Sequence, residues 1–383
     1  MNFKKILRKL NSTFSNKKKN NQETEPRNNP DQIIKRYFEV YTSQNQVLLD
    51  YYNNNEILIN NKFKLIDVGC SGGFEDYWYN FKDIEAHGID SVEEEIIKLN
   101  KNSDTNKYKY YQYYVCNNCD DKLGAPYIED NYEDGKGILF KDTAAYRFQQ
   151  IYLKRNEKVL HKKIYPTLHN PPEKLKLVKK VSIEDFCKIE NIKNINYLKI
   201  DVYGRTADVL ESCRSILDSD ELLGVKAEVT LVTPEKNDFY LKVGNILNEK
   251  NFILMKIINR RYSPYYLPDK FLYEQPAQGL TGFDHQADFI FLKPPNKNMI
   301  EKLDRERFLK FLVLLELFDL SGFAIKMIKI SENKFLSKDE EAIFLDLLSK
   351  NQTSKIFGKE MSYSNYIDMI TKNSSLIFPN KED

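Results

Sequence analysis

The sequence is short of most features that would announce a function outright. It has one tryptophan, four histidines and five cysteines in 383 residues, with a formal net charge of only +2. The 58 Lys and Arg are matched by 56 Asp and Glu. The basic excess of a general nucleic-acid binder is therefore missing, and no nucleic-acid partner is expected. No apolar run reaches the roughly 18–20 residues of a membrane span. Residues 1–10 lack the apolar core of a secretory signal, so a cytoplasmic protein is the expectation. An odd number of cysteines, at 70, 116, 119, 187 and 213, points to reduced thiols and no disulfide framework. Cys116-Asn117-Asn118-Cys119 has the spacing of half a zinc site or a redox pair. No second Cys or His pair answers it, and two ordinary thiols at a strand end are expected.

What is present suits one sizeable α/β domain with an appendage of under about a hundred residues. Residues 1–31 read as a flexible basic arm: Phe3, Ile6, Leu7 and Leu10 fall at helical spacing among lysines and arginine, followed by a polar run. A second reading rests residues 1–19 on an anionic membrane surface as a short helix, which makes the protein peripheral there. The apolar pattern from Ile33 to Leu58 predicts one or two capping helices. Seven strands are expected next, at 63–69, 85–90, 108–115, 195–202, 225–232, 252–259 and 287–293. Helical patterns lie between most of them, at 74–82, 91–100, 182–191, 206–217 and 238–250. Strands alternating with helix-length connections imply a parallel, doubly wound sheet within residues 32–297. A Lys- and Tyr-rich stretch at 118–180 reads as an insertion, long enough to be a lid or binding loop. The Pro- and Gly-rich loop 260–286 is placed to fold over the carboxyl edge of the sheet, where ligands bind in such folds. Residues 298–383 read as a helical C-terminal appendage.

The stretch "LIDVGCSGG" holds the sharpest signal. A Gly-rich turn after the first strand lets a ligand approach the backbone and the next helix. The spacing Gly69-x-x-Gly72-Gly73 lacks the middle glycine of the dinucleotide fingerprint G-x-G-x-x-G, with Cys70 or Ser71 in its place. That disfavours a dehydrogenase. S-adenosylmethionine has no phosphate, and its methionine end needs only room and donors, which residues 69–73 supply. Asp90 ends the second expected strand about twenty residues on, where an acid accepts both ribose hydroxyls. Asp90 also suits a helix cap before Ser91. Asp67, near the end of a buried strand, needs partners; the loop amides, the ligand's ammonium or a purely structural role would satisfy it.

At "INYLKIDVYGRTADVLESCRSIL", with "VSIEDFCKIENI" before it and "LLGVKAEVTLV" after it, the chain resembles the FkbM family of S-adenosylmethionine-dependent methyltransferases. The likeness covers about residues 63–294, through "IDVGCSGG", "GID", "LKIDVYG" and "ADFIFLK" in the family's order. It implies a Rossmann-like class I methyltransferase sheet flanked by helices, with the last strand inserted antiparallel. It also implies O-methylation, often of sugars or other hydroxylated natural products. Carried over by position, Gly69, Cys70, Gly72 and Asp90 would bind the cofactor, beside Asp67 and Ser71 of the same turn. Cys116 and Asn117 fall where such enzymes hold the adenine. Asp201 matches the acid of the family's Lys-Ile-Asp-Val-Glu-Gly block, whereas the block's Glu is Tyr203 here.

Methyl transfer to an alcohol needs alignment and a way to remove the hydroxyl proton. Asp201, at the carboxyl end of the fourth strand, is the leading candidate for a base or for a ligand of a divalent metal such as Mg²⁺. Glu228 and His285 are the other candidates, and capping the turn at Gly204 is the structural alternative for Asp201. The expected acceptor is a small molecule or glycan, for which the tyrosines between 108 and 152 offer aromatic faces that would equally suit a core. The competing reading is a catalytically silent, methyltransferase-like interaction module.

Overall fold

A computed structural model describes residues 46–117, 139–140, 176–202, 204–232, 234, 237–263, 277–279 and 283–373. The basic arm, most of the 118–180 insertion and Tyr203 lie outside the described residues. Eight strands form the main sheet: β1 Phe63–Val68, β2 Ile84–Asp90, β3 Tyr108–Gln112, β4 Tyr197–Ile200, β5 Gly224–Thr230, β6 Ile253–Ser263, β7 Ala277–Gly279 and β8 Phe283–Leu292. Their order across the sheet is β7-β6-β8-β5-β4-β1-β2-β3. Neighbours from β3 to β5 run parallel, while β8 is antiparallel to both β5 and β6. The order therefore reverses direction between β1 and β4, the place where doubly wound sheets open a crevice at their carboxyl edge. Among the described residues no helix is long and apolar enough to cross a membrane.

Central parallel strands are covered on both faces, so they read as near-continuous apolar runs. Here β1, β4 and β5 are almost wholly buried. Side chains alternate between the faces, and residues in register share one. Ile66, Val68, Leu198, Ile200, Val225, Ala227 and Val229 form one face, apolar throughout. It packs in one cluster with α3 (Ile183–Ile189), α4 (Thr206–Glu211), α5 (Arg214–Leu217) and α6 (Tyr240–Glu249). The remaining helix of the βα units, α2 (Glu93–Asn102), follows β2, and α1 (Val47–Asn54) precedes β1. The helix expected at 74–82 is a 3-10 helix at Asp76–Asn80, and the one expected at 206–217 divides into α4 and α5.

The opposite face is split along its length. Its amino-terminal half, with Phe63, Leu65, Tyr197 and Leu292, shares a cluster with α7 (Lys297–Lys302), α8 (Arg305–Leu317), α9 (Ser321–Ile330) and α10 (Lys338–Phe357). Every residue of α8 from Phe308 to Leu317 is buried, as a helix enclosed on all sides must be. Phe318, just past it, stacks on Tyr197 with ring centroids 5.5 Å apart. Caps fix the helix starts: Asn296, Asp304 and Ser337 each accept a backbone N–H, and Ser337 and Glu340 form a reciprocal capping box. The last helix, α11 (Tyr363–Lys372), has no buried residue. The carboxyl-terminal half of this sheet face carries the charged side chains.

Candidate functional site

Asp67, Lys199 and Lys226 are register neighbours across β1, β4 and β5, and Glu228 is in register with Asp288 across β5 and β8. All five are buried, and all share the face that carries the charges. Lys199 Nζ donates to Asp67 Oδ1 at 2.9 Å and lies 3.7 Å from Asp201 Oδ2. Lys226 Nζ lies 3.2 Å from Asp288 Oδ2 and also pairs with Glu75, whose carboxylate accepts from Tyr77 Oη. Two buried ammoniums side by side are tolerable only with acids flanking both, and this ladder supplies them. Burial raises the Asp67 carboxyl to about 6 against the pull of Lys199. Burial alone would lower the Lys199 ammonium, yet Asp67, Asp201 and Glu75 outweigh it and the group is raised. Lys226 is raised in the same way by Asp288 and Glu75.

The glycine turn sits directly above. Gly69 has φ +86°, and a Cβ there would lie 2.0 Å from the Asp201 carbonyl oxygen. The close approach that excludes a side chain at Gly69 is therefore made by the chain's own backbone. Asp201 N–H in turn donates to Val68 O at 2.8 Å, so the candidate base and the turn are packed together. Gly72, at φ +82°, faces open space: a Cβ there would meet nothing within 4 Å. Its N–H donates to Glu95 Oε1 at 3.1 Å, so a ligand carboxylate would meet Glu95 at that amide. Ser71 is exposed. Cys70 is fully buried with its thiol close to Gly88, and burial raises it well above the usual thiol range. Its side chain belongs to the core, which leaves its backbone to make any contact with a cofactor.

Asp90 Oδ1 accepts the N–H of Val92 at 3.0 Å at the start of α2. That bond closes a turn just ahead of α2, whose N-cap position is Val92 and carries no side-chain cap; Asp90 is half-buried on the carboxyl edge. Asp67 meets Lys199, where loop amides were one expectation, and its Oδ2 has no hydrogen-bond partner among the described residues. Of the two candidate bases whose side chains are described, Asp201 reaches solvent, with its side chain 30 % exposed. Glu228 is buried beside Asp288, and its backbone carbonyl accepts from Thr206 Oγ1 at 2.8 Å. His285 falls in β8 by its backbone; its side chain lies outside what is described. Cys116 is buried and disulfide-bonded, which corrects the expectation of five reduced thiols, while Cys70, Cys187 and Cys213 are free. Asn117 is exposed. Tyr108 and Tyr110 are buried against Phe74, so these two aromatics are core and offer no sugar platform.

Sequence reasoning missed Lys199, Lys226, Glu75 and Asp288. The available signal was a charged residue inside each of the apolar runs "YLKI", "VKAEV" and "ADFIFL". Among the described residues no group of three or more His, Cys, Asp or Glu is placed to hold a metal ion. Among the described residues, an open hollow of about 280 Å³ is lined by Asn333, Lys338, Glu341, Ala342 and Leu345 on the C-terminal helices and shares no residue with the carboxyl edge. Chemistry favours the edge, because the hollow holds no group poised for it.

No family model matches the chain, and no curated protein matches it. Among solved structures, the methyltransferase FkbM from Methylobacillus flagellatus KT is similar over 67% of this chain, at 10% identity and with a TM-score of 0.29. The chain spans 51% of that structure's length. A likeness of that size carries no argument about function. The sheet itself, with antiparallel β8 inserted between β5 and β6, makes the fold Rossmann-like and methyltransferase-like.

Proposed function

We propose that the chain is an S-adenosylmethionine-dependent O-methyltransferase acting on a hydroxyl of a saccharide or glycan. The observation that carries this reading is the packing of Asp201 against the glycine turn. Asp201's backbone closes on Gly69 while its carboxylate stays partly exposed, so a base candidate and the open space at Gly72 share one edge. The residues fit the cofactor in two further respects: Asp67 has a buried oxygen beneath the turn with no partner among the described residues, and Asp90 stands at the end of the neighbouring strand. The sulfonium methyl group is the chemistry that S-adenosylmethionine supplies when bound. Asp67 would hold the ammonium of its methionine end beside the open turn at Gly72, and Asp90 its ribose. Asp201 would accept the acceptor's hydroxyl proton at a carboxylate oxygen, a contribution of roughly 10²–10⁴-fold for a general base. The saccharide acceptor rests on the resemblance to the FkbM family.

Calorimetric titration with S-adenosylmethionine and with NAD, on the wild type and Asp90→Ala, tests this reading. S-adenosylmethionine should bind and NAD should not, and Asp90→Ala should weaken binding by about 1.5–3 kcal/mol through lost charge-assisted hydrogen bonds. A panel of glycosides assayed for S-adenosylhomocysteine then reads turnover. Binding without turnover on any acceptor would favour a catalytically silent module, and binding of NAD alone would sink the methyltransferase reading.

A further inference from the structure

We propose that Lys199 is the positioning residue of this site, anchored by Asp67 and holding the Asp201 carboxylate toward the acceptor. The inference rests on the reading of Asp201 as the base. Three observations carry it. First, the ammonium is costly where it sits. Lys199 lies on a central strand, 5 % exposed, flanked on its own face by Tyr197 and in register with a second buried lysine, Lys226. Replacing a buried ion pair with well-packed apolar side chains is often neutral or stabilising, so stability alone does not account for it.

Second, the three groups are graded from inside to outside. Asp67 is 0 % exposed, the most enclosed of the three; Lys199 is held 2.9 Å from it; Asp201, 3.7 Å further along, is 30 % exposed. A reacting group oriented by a second, which is oriented by a third, is the logic by which hydrogen-bonded catalytic groups are aligned. Third, the backbone of Asp201 is already fixed, by its N–H bond to Val68 and its carbonyl against Gly69. The Lys199 ammonium lies within ion-pair reach of one oxygen of the Asp201 carboxylate. Displacing a reacting group by about 1 Å can cost ~10²-fold in rate, so this restraint matters to turnover.

The test uses the full chain and two readouts. In the ligand-free protein, the ¹³C resonance of the Asp201 carboxyl, assigned by its loss in Asp201→Asn, is followed against pH in the wild type, Lys199→Met and Lys199→Arg. Turnover is measured on whichever glycoside the wild type accepts. Lys199→Met should move the Asp201 titration upward by about one unit or more, since a nearby cation favours the charged form. It should lower kcat by ~10²-fold with KM nearly unchanged, and Lys199→Arg should recover part of both. An Asp201 titration that stays put in folded Lys199→Met overturns the inference, whatever the turnover. A wild type that makes no S-adenosylhomocysteine, while the titration still moves, defeats the methyl-transfer reading and supports the restraint. Should Lys199→Met fail to fold, Lys199→Gln carries the same comparison: it removes the charge but keeps a polar side chain beside Asp67, the Asp201 titration must again move upward, and an unmoved Asp201 there overturns the proposal.

Discussion

At the scale of single residues, two glycines of the turn, Gly69 and Gly72, do different work. Gly69 is required because a Cβ would strike the Asp201 carbonyl at 2.0 Å, in addition to its left-handed backbone at φ +86°. Gly72 shares the backbone conformation, at φ +82°, but has open space around it. Alanine at Gly72 should therefore cost only the left-handed backbone penalty of about 1–2 kcal/mol. Alanine at Gly69 should cost well beyond that and displace Asp201. Urea denaturation of the two variants checks the ranking, and equal losses would mean that the Asp201 contact yields freely. The glycines were legible in the sequence as a place of close approach, but not what approaches. That depends on β1 and β4 lying side by side although more than a hundred residues separate Asp67 from Lys199. The lysine itself is visible in "YLKI" only as a polar interruption; its partner is a matter of register between strands.

At the scale of elements, a remote carboxylate caps α1. Glu316 on α8 accepts the N–H groups of Leu48 at 3.0 Å and Leu49 at 3.1 Å, the orphan donors of that helix's first turn, and Asn351 Nδ2 at 2.9 Å. Burial raises this carboxyl to about 7, with Asp50 adding to the shift and the two backbone N–H groups opposing it. A group whose folded pKa is raised holds its proton more tightly when folded. Its contribution to stability is present in full below the ordinary carboxylate value and is lost as pH rises through about 7. Stability should thus fall from pH 5 to pH 8 by on the order of 2–3 kcal/mol through Glu316 alone, with Asp67 acting in the same direction at the acidic end of that window. Glu316→Gln should flatten the dependence, as denaturation midpoints at the two pH values would read, and an unchanged slope would remove Glu316 as its source. Strand positions were legible because β1, β4 and β5 are buried on both faces and read as apolar runs. The 3-10 turn at Asp76–Asn80 was not, because Phe74, Tyr77 and Trp78 fall at helical spacing in either form and their packing against the core decides. The remote cap on α1 left no mark near that helix, since its acceptor lies 268 residues away from Leu48.

At the scale of the molecule, the sequence divides near Pro294 into an alternating part and a helical part, and that division invites a reading of residues 298–383 as a removable appendage. The packing argues for dependence. Phe311, Leu312, Leu314, Leu315 and Phe318 are buried in one cluster with Phe63, Leu65, Tyr197 and Leu292 of the sheet. Lys310 Nζ, fully enclosed, donates to Asn61 Oδ1, Lys62 O and Asn196 Oδ1 in the segments leading into β1 and β4. An apolar face that large has no other cover among the described residues, because the second cluster serves the opposite face. Each large apolar side chain returned to water costs about 1.5–3 kcal/mol, so losing only five of them offsets the roughly 5–15 kcal/mol by which a domain is stable. A chain ended after Lys293 should therefore not fold cooperatively: it should bind a hydrophobic dye, lose near-ultraviolet dichroism and show no sharp melting transition, while retaining strand and helix signals in the far ultraviolet. The single substitution Leu314→Ala in the full chain sets the scale, with an expected loss of about 2–5 kcal/mol and an intact cooperative transition. A truncated chain that melts sharply at the full-length temperature would show that the sheet holds its own core and that the C-terminal helices form a separate domain.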